Sequence, residues 1–200
     1  MKRRIRILLF LFVLSFPLSM SAQTIDYLRP PKRPTTHRVK KPKPKQQESA
    51  EDMYIKGYDY LMDDNYTQAA YWFRKAADKG YRDAQSCMGY CYGAGVGVSQ
   101  DFSQAASWFR KAADQGDAYS QYALSALYYD GLGVRQDISL SFKWCSKAAE
   151  QGYVYAQTSL GSYYYQGWGV AKDVAKARSW WQKAANQGDE TAISYLETYY

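Results

Sequence analysis

The block Lys75-Ala76-Ala77 returns as Lys111-Ala112-Ala113, Lys147-Ala148-Ala149 and Lys183-Ala184-Ala185, each time 36 residues further along the chain. Trp72, Trp108, Trp144 and Trp180 keep the same step, as do Gly80, Gly116, Gly152 and Gly188. A second block, Gly95-Val96-Gly97-Val98, comes back as Gly131-Leu132-Gly133-Val134 and Gly167-Trp168-Gly169-Val170. Self-similarity at a fixed period of this length marks a repeat architecture, in which one small unit cannot bury its apolar face alone and must stack on its neighbours. The recurrence therefore restricts the chain to a rod of like units.

Each unit reads as two helices. The first carries a stripe spaced by four, Ala84, Met88 and Tyr92 in one unit and Ala156, Leu160 and Tyr164 in another. Gly89 and Gly161 fall inside it at a cost of about 1 kcal/mol each relative to alanine, which implies close approach by a partner element. Two glycines end the first helix, where the chain needs positive φ. Asp101, Asp137 and Asp173 then stand where a second helix needs its N-cap, with Asn65 in the matching place of the first unit. The second helix shows Ala105, Trp108, Phe109 and Ala112 at 3-4 spacing and stops at Gly116.

These features resemble the Sel-one-like repeat family, a relative of the tetratricopeptide repeats. The residues that carry the likeness are Leu160-Gly161, the G-x-G-V loop, the aspartate after it and the W-[FW]-x-K-A-A-x-x-G ending. The resemblance implies an all-α, right-handed α-solenoid of about four repeats over 50–200, used for protein–protein interaction. Its units are placed at about 50–80, 81–116, 117–152 and 153–188, with 189–200 as a C-terminal capping helix. The first unit departs from the pattern: it lacks the diglycine loop and fits plain tetratricopeptide spacing. Ser125 replaces the glycine in the third unit, and Cys145 stands where the others have Phe73, Phe109 and Trp181.

Tyrosine occurs 21 times and histidine once, at His37. If tetratricopeptide geometry carries over, Tyr54, Tyr58, Tyr90, Tyr119, Tyr122, Tyr129, Tyr155 and Tyr165 face the concave wall and bind a partner. Tyrosine gives rigid, amphipathic contact area at low entropic cost. The competing expectation is that many of these rings pack between repeats with their hydroxyls at the rim.

The repeat region holds no histidine, so Ser-His and Cys-His pairs and histidine metal sites are excluded from it. The G-x-G-V glycines precede a helix without a strand before them and are turn residues, not a phosphate cradle. No catalytic, cofactor-binding or metal-binding residue is expected, and a hydrolase acting on a wall or β-lactam substrate is the weakest reading. Cys87 and Cys91 lie four apart on one helix, with Cβ atoms about 5–6 Å apart, wider than the roughly 3.5–4.5 Å of a disulfide.

Ahead of the repeats, Lys2, Arg3, Arg4 and Arg6 precede the apolar run 7–16, and small residues around Ser19, Ser21 and Ala22 offer a cleavage point before Gln23. Segment 1–22 is thus expected to be a signal peptide, giving an exported chain in the periplasm or outside the cell. The net charge of +7 is unevenly placed. Residues 23–48 hold eight basic side chains against Asp26 and Glu48, a net +6, whereas 49–200 is net −3. With Pro30, Pro31, Pro34, Pro42 and Pro44, segment 23–49 reads as an extended, self-repelling linker. It either attracts an anionic envelope polymer or serves as a soluble spacer. Nucleic acid is not an expected partner of an exported chain.

Overall fold

The computed structural model describes residues 48–199. The signal-like segment 1–22 and nearly all of the linker lie outside the described residues, as does Tyr200. Nine helices follow in the described part: α1 (Ala50–Met62), α2 (Tyr66–Asp78), α3 (Arg82–Ala94), α4 (Phe102–Asp114), α5 (Ala118–Asp130), α6 (Ile138–Glu150), α7 (Val154–Gln166), α8 (Val174–Ala185) and α9 (Glu190–Tyr199). Each packs on the next, so α1/α2, α3/α4, α5/α6 and α7/α8 form four stacked hairpins, and α9 covers α8. The first helix α3 also touches the first helix α5. α3 and α5 therefore share one side of the α-solenoid, the inner side where tetratricopeptide-like geometry holds.

Helix starts follow the sequence. Asn65, Asp101, Asp137 and Asp173 accept the backbone N–H of Gln68, Gln104, Leu140 and Lys176 at 2.8 to 3.3 Å, which satisfies an otherwise unpaired donor of each second helix. First helices alternate instead. Asp117 and Asp189 accept from Ser120 N and Ala192 N, each at 2.7 Å, while Tyr81 and Tyr153 give α3 and α7 no side-chain cap.

The G-x-G loop has a reason beyond its turn. A Cβ on Gly97 would fall 2.0 Å from the carbonyl oxygen of Tyr66, and one on Gly133 would fall 2.1 Å from the carbonyl carbon of Phe102. The second glycine of each loop thus presses backbone against the start of the preceding unit's second helix. Among the described residues no unit precedes the first one for its loop to press against, and that loop is plain, with Asp64 alone at positive φ, 56°.

Unit stacking is fixed by a ladder of amides. Gln85, Gln121 and Gln157 are buried and donate to the carbonyls of Ala77, Ala113 and Ala149 at 3.1 to 3.3 Å. Gln115, Gln151 and Gln187, one unit further on, donate to their side-chain oxygens at 2.7 to 2.8 Å. Buried amides are tolerated only when paired in this way. The outer tryptophans follow a related rule. Lys111, Lys147 and Lys183 lie 3.7 to 4.2 Å above Trp108, Trp144 and Trp180. Arg74 and Arg110 cover Trp108 and Trp144 at 5.1 and 5.0 Å and donate to the hydroxyls of Tyr92 and Tyr128. Ser146 stands where Trp180 would need its arginine.

Candidate partner-binding face

The structure distributes the eight tyrosines unequally. Tyr54 is fully buried, 5.0 Å from the rings of Tyr58 and Tyr81, and Tyr58 lies 5.3 Å from Phe73 with its hydroxyl at Cys87 Sγ. Tyr119 is buried edge-on against Phe109 at 5.8 Å. These three are core residues and do not line a wall. The first helices α3, α5 and α7 are each wedged between two second helices, and α1 is covered by α2 and by Tyr81 and Cys87 of the next unit, so only a narrow arc of each reaches solvent. Tyr165 is also displaced from the expected role: Tyr199 lies 4.7 Å from its ring and Trp181 5.5 Å, so α9 covers it in the place of a further unit.

Four of the expected tyrosines are at least partly exposed on the first helices. Tyr90 is half-buried on α3. Tyr122 is half-buried on α5, its hydroxyl 3.2 Å from Ser159 Oγ and its ring 5.4 Å from Tyr153. Tyr129, about two turns further along α5, sits 5.5 Å from Trp168 of the next loop. Tyr155 is 38% exposed and 5.7 Å from Tyr153. Tyr153 and Trp168 were not singled out from the sequence; they belong to loops, and only stacking of one unit on the next brings them beside Tyr122 and Tyr129. Other residues of the first helices divide in the same manner. Met62 is 72% exposed, whereas Ser86 and Thr158 are buried and donate to Asp117 and Asp189 at 3.1 and 3.0 Å.

Charge is segregated between the two helix layers. The first helices carry Glu51, Asp52, Asp59, Asp83 and Asp130 against Lys56 and Arg82. The second helices each hold two or more basic residues, such as Arg110 and Lys111, and at most one acid. Asp130 ends α5, with Oδ2 buried and without a hydrogen-bond partner, and burial pushes its carboxyl up to about 6. Cys87, Cys91 and Cys145 are free and buried. Burial pushes the Cys91 thiol up to about 12 and raises the other two, so these sulfurs stay protonated and are poor nucleophiles. Among the described residues no group of His, Cys, Asp and Glu is arranged to hold a metal, and no helix is long and apolar enough to cross a membrane.

The Sel1 repeat matches the chain four times in succession, over residues 49–81, 82–117, 118–153 and 154–189. The chain belongs to the Sel1 repeat family. Proteins of this family typically act as protein–protein interaction scaffolds. Similar solved structures agree on the fold. A protective antigen from uropathogenic Escherichia coli displaying an SLR fold is 40% identical, with TM-score 0.72 over 74% of this chain and 32% of that one. A Sel1 repeat protein from Oxalobacter formigenes is 33% identical, with TM-score 0.67 over 74% of this chain and 44% of that one. The chain thus spans less than half the length of either relative. Cysteine-rich protein B of Helicobacter pylori shares the fold at 20% identity, with TM-score 0.51 over 74% of this chain and 96% of its own. No curated protein shows significant sequence similarity to the chain.

Proposed function

We propose that this Sel1 repeat protein is an exported, non-catalytic scaffold that binds a partner protein or peptide on the inner face formed by Tyr90, Tyr122, Tyr129 and Tyr155. The observation that carries the reading is the recurrence of partly exposed tyrosines on the first helices of three successive units, with Tyr122, Tyr129 and Tyr155 each braced by a neighbouring ring. Rings fixed in advance lose little entropy on binding. Export is supported by the basic and apolar N-terminal segment 1–22. Absence of catalysis is supported by buried, protonated thiols and by a repeat region without histidine.

A second reading has its own observation. The basic segment 23–49 would hold the chain to an anionic envelope polymer, with the repeats secondary. Affinity capture from envelope extracts separates the two. With the mature chain as bait, a partner that is lost with Tyr122→Ala plus Tyr129→Ala, and kept when Lys40, Lys41, Lys43 and Lys45 become glutamine, supports the inner face. Loss only with the lysine changes would support the polymer tether and sink the first reading.

A further inference from the structure

The joint between the first and second units and the joint between the second and third are each closed by an arginine. Arg74 of α2 stands 5.3 Å from the ring of Tyr92 and 5.1 Å from that of Trp108. Arg110 of α4 stands 5.4 Å from Tyr128 and 5.0 Å from Trp144. Each also donates to the hydroxyl of its tyrosine. A planar guanidinium suits such a place, since it stacks on rings and keeps N–H donors at its edge, which a compact ammonium does not match.

Between the third and fourth units the aromatic pair is kept and the arginine is not. Tyr164 and Trp180 fall 36 residues after Tyr128 and Trp144, while the position 36 after Arg110 is Ser146. Both rings pack against one core cluster. Trp108 and Trp144 are buried under their arginines, whereas Trp180 is partly exposed. Among the described residues the cations over Tyr164 and Trp180 are lysines. Lys183 lies 3.7 Å from Trp180, just as Lys111 lies 3.7 Å from Trp108 beside Arg74, so it leaves the arginine's place open. Lys176 lies 5.3 Å from Tyr164 and is held by Asp173 at 3.2 Å, where the second and third units have Gln104 and Leu140. The hydroxyl of Tyr164 makes no hydrogen bond among the described residues.

We propose that Tyr164 and Trp180 form a seat for a guanidinium supplied from outside the chain, and that its occupant is an arginine side chain of a partner polypeptide. The two filled places in the same molecule show how this pair of residue types holds that group. Two rings and one hydroxyl open to solvent hold little by themselves. They suit one anchor of a wider interface, where arginine is among the residues that contribute most to binding. The seat stands apart from Tyr122 and Tyr129, so failure of either reading leaves the other intact.

The indole N–H signals of Trp108, Trp144 and Trp180 in the mature chain report on the three places separately. Titration with acetyl-Gly-Arg-Gly-amide is expected to shift the Trp180 indole saturably and to leave the other two in place. Counterparts with lysine or citrulline at the centre should bind severalfold more weakly. The arginine peptide should also bind severalfold more weakly to Tyr164→Phe, which keeps the ring and removes the hydroxyl. Ser146→Arg puts the chain's own guanidinium in the seat and should abolish the shift, with unchanged Trp108 and Trp144 signals showing that the fold is kept. Lys176→Gln, which installs the residue of the second unit, should tighten binding severalfold. No saturable shift at Trp180, an equal response to the lysine peptide, or a response that survives Ser146→Arg would each overturn the proposal. A Trp180 signal that moves as the protein alone is concentrated would do the same, because a second copy would then be the occupant.

Discussion

Ser125 faces Cys145 across the third hairpin, at the place where every other unit sets a glycine against an aromatic ring. A Cβ on Gly57, Gly89 or Gly161 would lie 2.4 to 2.5 Å from Phe73, Phe109 or Trp181. In the third unit the ring is replaced by a small thiol, and the space is taken by Ser125, by Ser141, whose hydroxyl donates to the carbonyl of Ser125 at 2.6 Å, and by the hydroxyl of Tyr163. The two departures are one compensating exchange. Cys145→Phe alone is expected to destabilise by about 1–3 kcal/mol through overpacking. Adding Ser125→Gly should recover part of that loss, and a urea-denaturation double-mutant cycle giving no coupling between the two sites would contradict the account.

The amide ladder predicts a local effect. Gln121→Leu removes the side-chain donor to Ala113 O and leaves Gln151 with only the carbonyl of Lys147, at 3.5 Å. Stability should fall by about 1 kcal/mol, since two hydrogen bonds are lost while Ala113 O still accepts from Gly116 N. Hydrogen exchange should quicken most in α5 and at the end of α4, because each unit couples chiefly to its neighbours.

Asp130 gives a pH dependence with a definite sign. Its carboxyl is raised from 3.8 to about 6 by burial in the folded protein. Between those values the folded state binds more protons than the unfolded one, so this group lowers stability as pH rises from about 4 to about 6. Asp130→Asn should stabilise by about 1 kcal/mol at neutral pH, once solvent screening of a half-exposed group is allowed for, and by nothing below about pH 4. Thermal melts across that range check the sign.

Ser146 is a gap in an otherwise regular series. Arg74 and Arg110 each bridge a tyrosine and a tryptophan of the following unit, and an arginine at 146 would meet Tyr164 and Trp180 in the same way. Ser146→Arg is expected to raise stability by about 0.5–1 kcal/mol. An unchanged urea midpoint would show that Trp180, which is more exposed than Trp108 and Trp144, gains nothing from the cover.

Much of this was legible in the chain itself. A 36-residue recurrence, aspartates after a glycine turn and alanine-tryptophan stripes dictate paired helices, because caps, turns and amphipathic period are local properties. Whether a given tyrosine is wall or core is not local. Tyr54 and Tyr119 hold positions that look inward by analogy, yet neighbouring units close over them, whereas Tyr153 and Trp168 reach the inner face only because the next unit brings them there. The pairing of Ser125 with Cys145, the glutamine ladder and the separation of charge into two layers likewise arise between residues far apart in sequence. Period set the units; contact between units decided the surface they present.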